Sequence, residues 1–309
     1  MTFFSILCVL VLEQFKAAPA VRIRAWQDRY AAFVERHFNG DEERHGMAAW
    51  AAGVALPALL VLIAQWLLHG IHPLLGLAFN VAVLYLAVGF RQFSHFFTDI
   101  HTALRMGEVE RARALLGEWR GGGERLGSDE IARLSIEQGI VHSHRHVFAP
   151  LFWFMLLGPV GAVLYRLSFG MAQAWAAPAC VPGGGAAFGR FATRAFFALD
   201  WLPARLTATT FAIVGDFEDA IYCWRTQAAQ WADATTGILL ASGAGALGVR
   251  LGMPIAGGEA GDAEPRPELG IGDDVAIEHL QSAVGLVWRA LVLCLLLLAL
   301  LTLAGWAGR

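Results

Sequence analysis

Charge is what this sequence has least of. Of its 309 residues, 16% are Asp, Glu, Lys or Arg, against about 25% in ordinary soluble domains. Cysteine is also scarce. The four present (Cys8, Cys180, Cys223, Cys294) form no C-x-x-C pair, so neither a disulfide framework nor a cysteine-built zinc site is expected. A surplus of either sign is missing as well. With 23 basic and 26 acidic residues and a pI of 6.4, the chain lacks the broad cationic field that draws proteins to nucleic acid. Nothing in it matches a P-loop, a G-x-S-x-G elbow or a dinucleotide-binding fingerprint.

What is there in quantity is apolar. Hydrophobic residues make up 57% of the chain and the mean hydropathy is +0.52. A bilayer-crossing helix needs about 20 such residues in a row. Windows near that length run over Ala48–Leu68, Pro73–Phe90, Phe148–Leu167, Ala195–Val214 and Ala290–Ala307. The run Met1–Leu12 is shorter and lacks a basic leader and a small-residue cleavage site, so it reads as a retained, partly embedded segment. The expected fold is an all-α polytopic membrane bundle of five to six transmembrane helices with amphipathic cytoplasmic helices. A single integral-membrane domain is expected over 1–309, with helical insertions at about 91–147 and 215–289.

Orientation follows from arginine. Residues 13–47 carry six Lys or Arg and 91–147 carry eight, whereas 171–194 carry only Arg190 and Arg194. The positive-inside rule then puts the arginine-rich stretches in the cytoplasm and the glycine-rich connection 171–194 outside, which predicts a multi-pass membrane protein. The partners expected are the lipid bilayer and an anionic small molecule, with no nucleic acid. Oligomeric state is not legible.

Within the insertions, Phe93–Trp119 shows a broken 3–4 spacing of apolar residues, predicting two amphipathic helices separated at Met106–Gly107. A further helix starts near Ser128, the candidate N-cap, with Asp129 and Glu130 in its first turn. Gly257–Gly272 reads as a mobile loop by composition.

Several polar groups stand where chemistry could use them. Asp200 and Arg205 flank Pro203 inside an apolar run. Two readings stay open: an internal ion pair, or a polar cavity in which Arg205 meets an anion through its planar fork. Arg133 and Glu137, four apart on a helix, make either a surface pair or the lining of a pocket. Asp216, Glu218 and Asp219 cluster after the fourth apolar run as a solvated acidic turn or a magnesium site shared with a phosphate. His142, His144 and His146 precede the third run. Only His142 and His146 share a helix face, and anchoring at the membrane surface outweighs metal binding for them.

Taken together, GEVERARALL, DEIARLSIEQG, APLFWFMLLGPVGAVLYR, LDWLPARLTA and GALGVRLG, in that order along the chain, resemble the CobD/CbiB family of cobalamin-biosynthesis membrane proteins and its relative AmpE. In the cobalamin branch, the resemblance implies ATP-dependent joining of an aminopropanol-type linker to a corrin side-chain carboxylate, with ATP and magnesium as cofactors. The departures are local. Where synthases of the family carry an acidic stretch before APLFW, this chain reads Val141-His142-Ser143-His144-Arg145-His146, and its amino terminus looks AmpE-like. These departures favour a regulatory or sensory member with an anionic-ligand pocket; the alternative is an adenosylcobinamide-phosphate synthase-type ligase. Arg133, Arg205 and Arg250, with Asp200, would bind the ligand in either case. Glu137 is the candidate catalytic group.

Overall fold

A computed structural model describes residues 2–15, 20–38, 43–121, 126–176, 185–255 and 266–307. Fourteen α-helices follow one another along them: α1 (Thr2–Phe15), α2 (Ala20–Phe38), α3 (Glu43–Trp50), α4 (Leu56–Ile71), α5 (Pro73–Ala87), α6 (Phe90–Arg105), α7 (Val109–Arg120), α8 (Ser128–Ser143), α9 (Ala149–Leu157), α10 (Pro159–Ala176), α11 (Gly185–Val214), α12 (Phe217–Gln227), α13 (Ala234–Leu247) and α14 (Ile277–Ala307). Wider π-helical turns join α3 to α4 (Ala51–Ala55) and α8 to α9 (His144–Phe148). One two-stranded parallel pair, β1 (Val249–Arg250) and β2 (Asp273–Asp274), interrupts an otherwise helical chain. The contacts divide it into two compact units, 1–91 with 149–203, and 92–148 with 204–309.

In the first unit, α4 and α5 form a hairpin because His72 adopts extended backbone and its Nδ1 accepts the Leu74 N–H at 3.2 Å, while Pro73 starts the next helix. The N-terminal run is α1, packed against α5 and α9 with Ser5, Ile6, Val9 and Glu13 buried. Helix α10 lies against α2, α4 and α5. Around its C-terminal half, Leu167, Met171 and Trp175 meet Ala31, Val34, Phe188 and Ala192. Contact between α3 and α11 is close enough that a Cβ on Gly46 would stand 2.1 Å from the Phe188 carbonyl oxygen.

The apolar windows all fall on helices, but they are not equivalent. Two stretches, Glu43–Ile71 and Ile277–Gly305, each of 29 residues, are long and apolar enough to cross a bilayer, and most of their side chains stay outside the packed interior. Helix α5 has 15 residues, a length of about 22 Å against a hydrocarbon core of about 30 Å. The window at 148–167 is divided: Gly158 takes a left-handed conformation (φ 65°) and ends α9 before Pro159 opens α10. A hydropathy window averages across such a turn, which is why the sequence reads one span there. Helix α11 runs unbroken through Pro203. Of the glycine-rich connection expected at 171–194, helices take all but residues 177–184, which lie outside the described residues.

Tyr165 and Asp200, both fully buried in the first unit, explain how an acid is held between apolar helices: the tyrosine hydroxyl donates to Asp200 Oδ1 at 2.8 Å. Replacing the donor alone, Tyr165→Phe, leaves the acceptor in place. It is expected to cost about 1–3 kcal/mol, read as a lower midpoint of heat unfolding in detergent. An unchanged midpoint would show that the bond contributes nothing net.

The second unit is built on α13, whose Ile238, Leu239, Leu240, Ala241 and Ala244 are buried. Its N-terminus is capped by Asp233, which accepts from Thr235 and Thr236 N–H at 3.1 and 3.3 Å. Glycines let α12 approach closely: a Cβ on Gly245 would fall 2.5 Å from the Asp219 carbonyl oxygen. Helices α6 and α7 bear out the two amphipathic helices read from the sequence, and the break sits at Gly107 (φ 76°). Phe97, Ile100, Leu104, Ala112, Leu116 and Trp119 form the buried face. The cap of α8 differs from expectation. Gly127, not Ser128, is the N-cap residue, and its N–H donates to the Glu130 carboxylate at 3.0 Å.

Candidate functional site

The second unit gathers charge beneath a strap that leaves α13 and returns to α14. Gly248 (φ 66°) ends α13 in the left-handed conformation, and β1 and Leu251 follow. Leu251 and Leu269 exchange both backbone bonds, at 2.7 and 2.9 Å, and Val249 and Arg250 pair with Asp273 and Asp274. Gln227, the last residue of α12, secures the returning leg with both ends of its amide. Its Oε1 accepts the Gly270 N–H at 2.6 Å and its Nε2 donates to the Gly270 carbonyl at 3.3 Å. The stretch 266–272 is thus fixed by backbone and side-chain bonds, contrary to its reading as a mobile loop. The rest of that loop, 257–265, lies outside the described residues.

Glu137 projects from α8 into this strap and is buried. Its Oε1 accepts the Gly252 N–H at 2.9 Å, and its Oε2 is ion-paired with Arg266, a hydrogen-bonded contact. The Arg266 guanidinium also lies over the Trp231 ring, 5.4 Å from its centroid. One turn earlier on α8, Arg133 is buried and donates from Nη2 to the Pro254 carbonyl at 3.3 Å. The Nε atoms of Arg133 and Arg266 are buried without a hydrogen-bond partner among the described residues. Arg120, at the end of α7, completes the group. Partial desolvation holds its pKa below the usual arginine value; Glu137 opposes that shift, while Arg266 and Arg133 add to it. Arg133 and Arg266 are thus two largely buried guanidiniums near a single carboxylate, with the exposed Arg120 close enough to feel their charges, which leaves positive charge in excess.

The expected candidates fall into separate places. Arg133 and Glu137 are in this cluster as lining residues and do not form a simple surface pair. Arg250 stands in β1, ion-paired to Asp274 at 2.9 Å and to Glu268 at 3.5 Å, so it ties the strap together from its exposed side. Asp200, on α11 in the first unit, accepts a hydrogen bond from Tyr165. Arg205 belongs to the second and is half-buried on α11. Asp216 is the N-cap of α12, accepting the Asp219 N–H at 3.1 Å, with Glu218 and Asp219 in the first turn. Acidic residues there complement the helix dipole. Among the described residues, no three His, Cys, Asp or Glu side chains stand together in a way that could hold a metal ion.

His142 and His146 do share a face. Their rings stack 3.9 Å apart and 4° from parallel, and Trp119 meets His142 edge-on. His144 is fully buried, with Nδ1 3.0 Å from the Thr207 hydroxyl. Arg145 reaches the α13 cap at Asp233, 3.4 Å away. Sequence reading missed Arg266, Gly252 and Gln227. The usable signals were the two prolines flanking Arg266 and the closely spaced glycines of GVRLG, both of which mark constrained backbone.

The CobD/Cbib protein family matches residues 6–287. A protein of Stutzerimonas stutzeri named cobalamin biosynthesis protein CobD is 35% identical over 320 aligned residues, covering 98% of each chain. A protein of the same name from Chromobacterium violaceum is 39% identical over 78% of this chain and 76% of its own, and one from Photorhabdus laumondii is 29% identical over 84% and 82%. No solved structure matches. A match of this extent, carried across both units, means that the chain belongs to the CobD/CbiB family.

Proposed function

We propose that the protein is a membrane-embedded, ATP-dependent ligase of the adenosylcobinamide-phosphate synthase type, joining an aminopropanol-type linker to a corrin side-chain carboxylate. The name carried by its relatives supports a biosynthetic role over the regulatory, AmpE-like one that the missing acidic stretch suggested. The observation that carries the reading is the pair of largely buried guanidiniums, Arg133 and Arg266, held by the strap at Glu137. Guanidinium forks recognise phosphate oxygens, and in this reaction class the ligands that bear phosphate are the nucleotide and a phosphorylated linker.

In this reading Glu137 has two states. Without ligand it neutralises Arg266 and holds the Gly252 N–H. A phosphate group that draws Arg266 to itself frees the carboxylate, which is then the one acid in the cluster able to accept the proton of the linker ammonium before that nitrogen attacks an activated carboxylate. ATP supplies that activation, and the guanidiniums suit its phosphates. Magnesium is expected to arrive on the nucleotide, coordinated by its phosphates. The corrinoid and the bilayer are the partners proposed. The cell compartment is the bacterial inner membrane, crossed several times, with 91–147 and 215–289 on the arginine-rich cytoplasmic side.

The test is amide formation by the purified chain in detergent, given a corrin acid, Mg-ATP and the phosphorylated linker, read by mass spectrometry. Arg133→Ala and Arg266→Ala should each raise KM for the phosphorylated linker by about tenfold, with a smaller effect on the unphosphorylated one. No product from the folded wild-type chain would overturn the ligase reading.

A further inference from the structure

Among the described residues, helix α2 is covered on one side. Tyr30, Ala31 and Val34 face the interior of the first unit, where the Tyr30 hydroxyl donates to the Gly53 carbonyl at 3.0 Å and the Ala31 carbonyl accepts from Trp175 Nε1 at 3.3 Å. Trp26 and Phe33 point away from that side and are 53% and 52% exposed. Seven residues make nearly two helical turns, so these two rings lie on one line along the helix. Arg22, Arg29 and Arg36, also seven apart and exposed, lie on a second line beside it. Asp28 and Glu35 fall on the opposite flank of the arginines. The rings are braced: Trp26 stacks on Tyr30 at 5.3 Å, and Phe33 packs on His37 at 4.2 Å.

A second observation fixes what this face meets. Glu43, five residues after the last residue of α2, begins the 29-residue apolar stretch in the same unit. Five residues reach at most about 18 Å, which keeps the end of α2 within reach of the bilayer surface at the mouth of that stretch. Aromatic rings beside arginines are the side chains that settle at the boundary between headgroups and acyl chains.

We propose that α2 is an interfacial helix that binds anionic phospholipid: Arg22, Arg29 and Arg36 meet lipid phosphates while Trp26 and Phe33 enter the upper acyl layer. The inference is independent of the ligase reading. Its test uses the full chain in neutral maltoside micelles, titrated with phosphatidylglycerol or phosphatidylcholine and read by the shift in its heat-unfolding midpoint. Phosphatidylglycerol should give the larger shift, and the preference should fade at about 0.5 M salt, where charges are screened. In Arg22→Gln/Arg29→Gln/Arg36→Gln, the half-saturating phosphatidylglycerol concentration should rise by at least about tenfold, and the corresponding triple Lys variant should restore it. A Gln triple that keeps the wild-type preference overturns the proposal, as does a Lys triple that loses it equally. If the Gln triple does not accumulate, Arg29→Gln alone should raise half-saturation by about threefold, and no change overturns the proposal.

Discussion

Glu137→Ala should abolish amide formation and destabilise the second unit by about 3–5 kcal/mol, the usual result of removing one partner from a buried ion pair. The size of the effect comes from what is left behind. The largely buried Arg266 would lose its carboxylate with the charges of Arg133 and Arg120 nearby, and the Gly252 N–H would lose its acceptor. Glu137→Gln separates the two losses. Its amide oxygen can still accept from Gly252, so most of the folding should return while the charge and the base do not. Pairing Glu137→Ala with Arg266→Ala should restore part of the stability, because the second change removes one of the stranded charges, with a coupling of about 0.5–3 kcal/mol. Urea or heat unfolding of the wild type, Glu137→Ala, Glu137→Gln, Arg266→Ala and the double variant, measured beside turnover, checks each statement. Additive losses would show that Glu137 and Arg266 do not act as a pair.

Gly252→Ala should be nearly as damaging by a different route. Gly252 has φ 77°, and a Cβ there would stand 2.0 Å from the Pro267 carbonyl oxygen, a backbone atom that cannot swing aside. The left-handed conformation alone costs a residue with a Cβ about 1–2 kcal/mol. Relieving the clash means moving 266–269, which carries Arg266 away from Glu137. The expected result is loss of activity with the helices intact, seen as normal far-ultraviolet circular dichroism and faster proteolysis near residue 252. Wild-type turnover in this variant would refute the view that the strap's backbone sets the cluster. Gly285→Ala is the control, because nothing lies within 4 Å of its would-be Cβ.

How much of this was legible depends on sequence distance. The break between α6 and α7 was readable at Gly107 because a run of apolar spacing stops there and the residue needed is a glycine. The helix start near Ser128 carries a local signal too, although the true cap of α8 fell one residue earlier, at Gly127. Arg133 and Glu137 could be singled out since four residues on a helix share a face. Their partners could not. Arg266 lies 129 residues from Glu137, and Pro254 lies 121 from Arg133, with no periodic pattern to link them. The bond between Tyr165 and Asp200, 35 apart, was hidden for the same reason. The division at Gly158 was missed because hydropathy measures composition and is blind to the sign of φ.

The two-handed grip of Gln227 on Gly270 bears on how the strap can vary. Because a side chain of α12 fixes where the returning leg sits, the alignment of Arg266 with Glu137 is set by that anchor and not by the number of residues joining 255 to 266. Shortening that connection in this chain should therefore leave the charge cluster in place as long as Gln227 is kept.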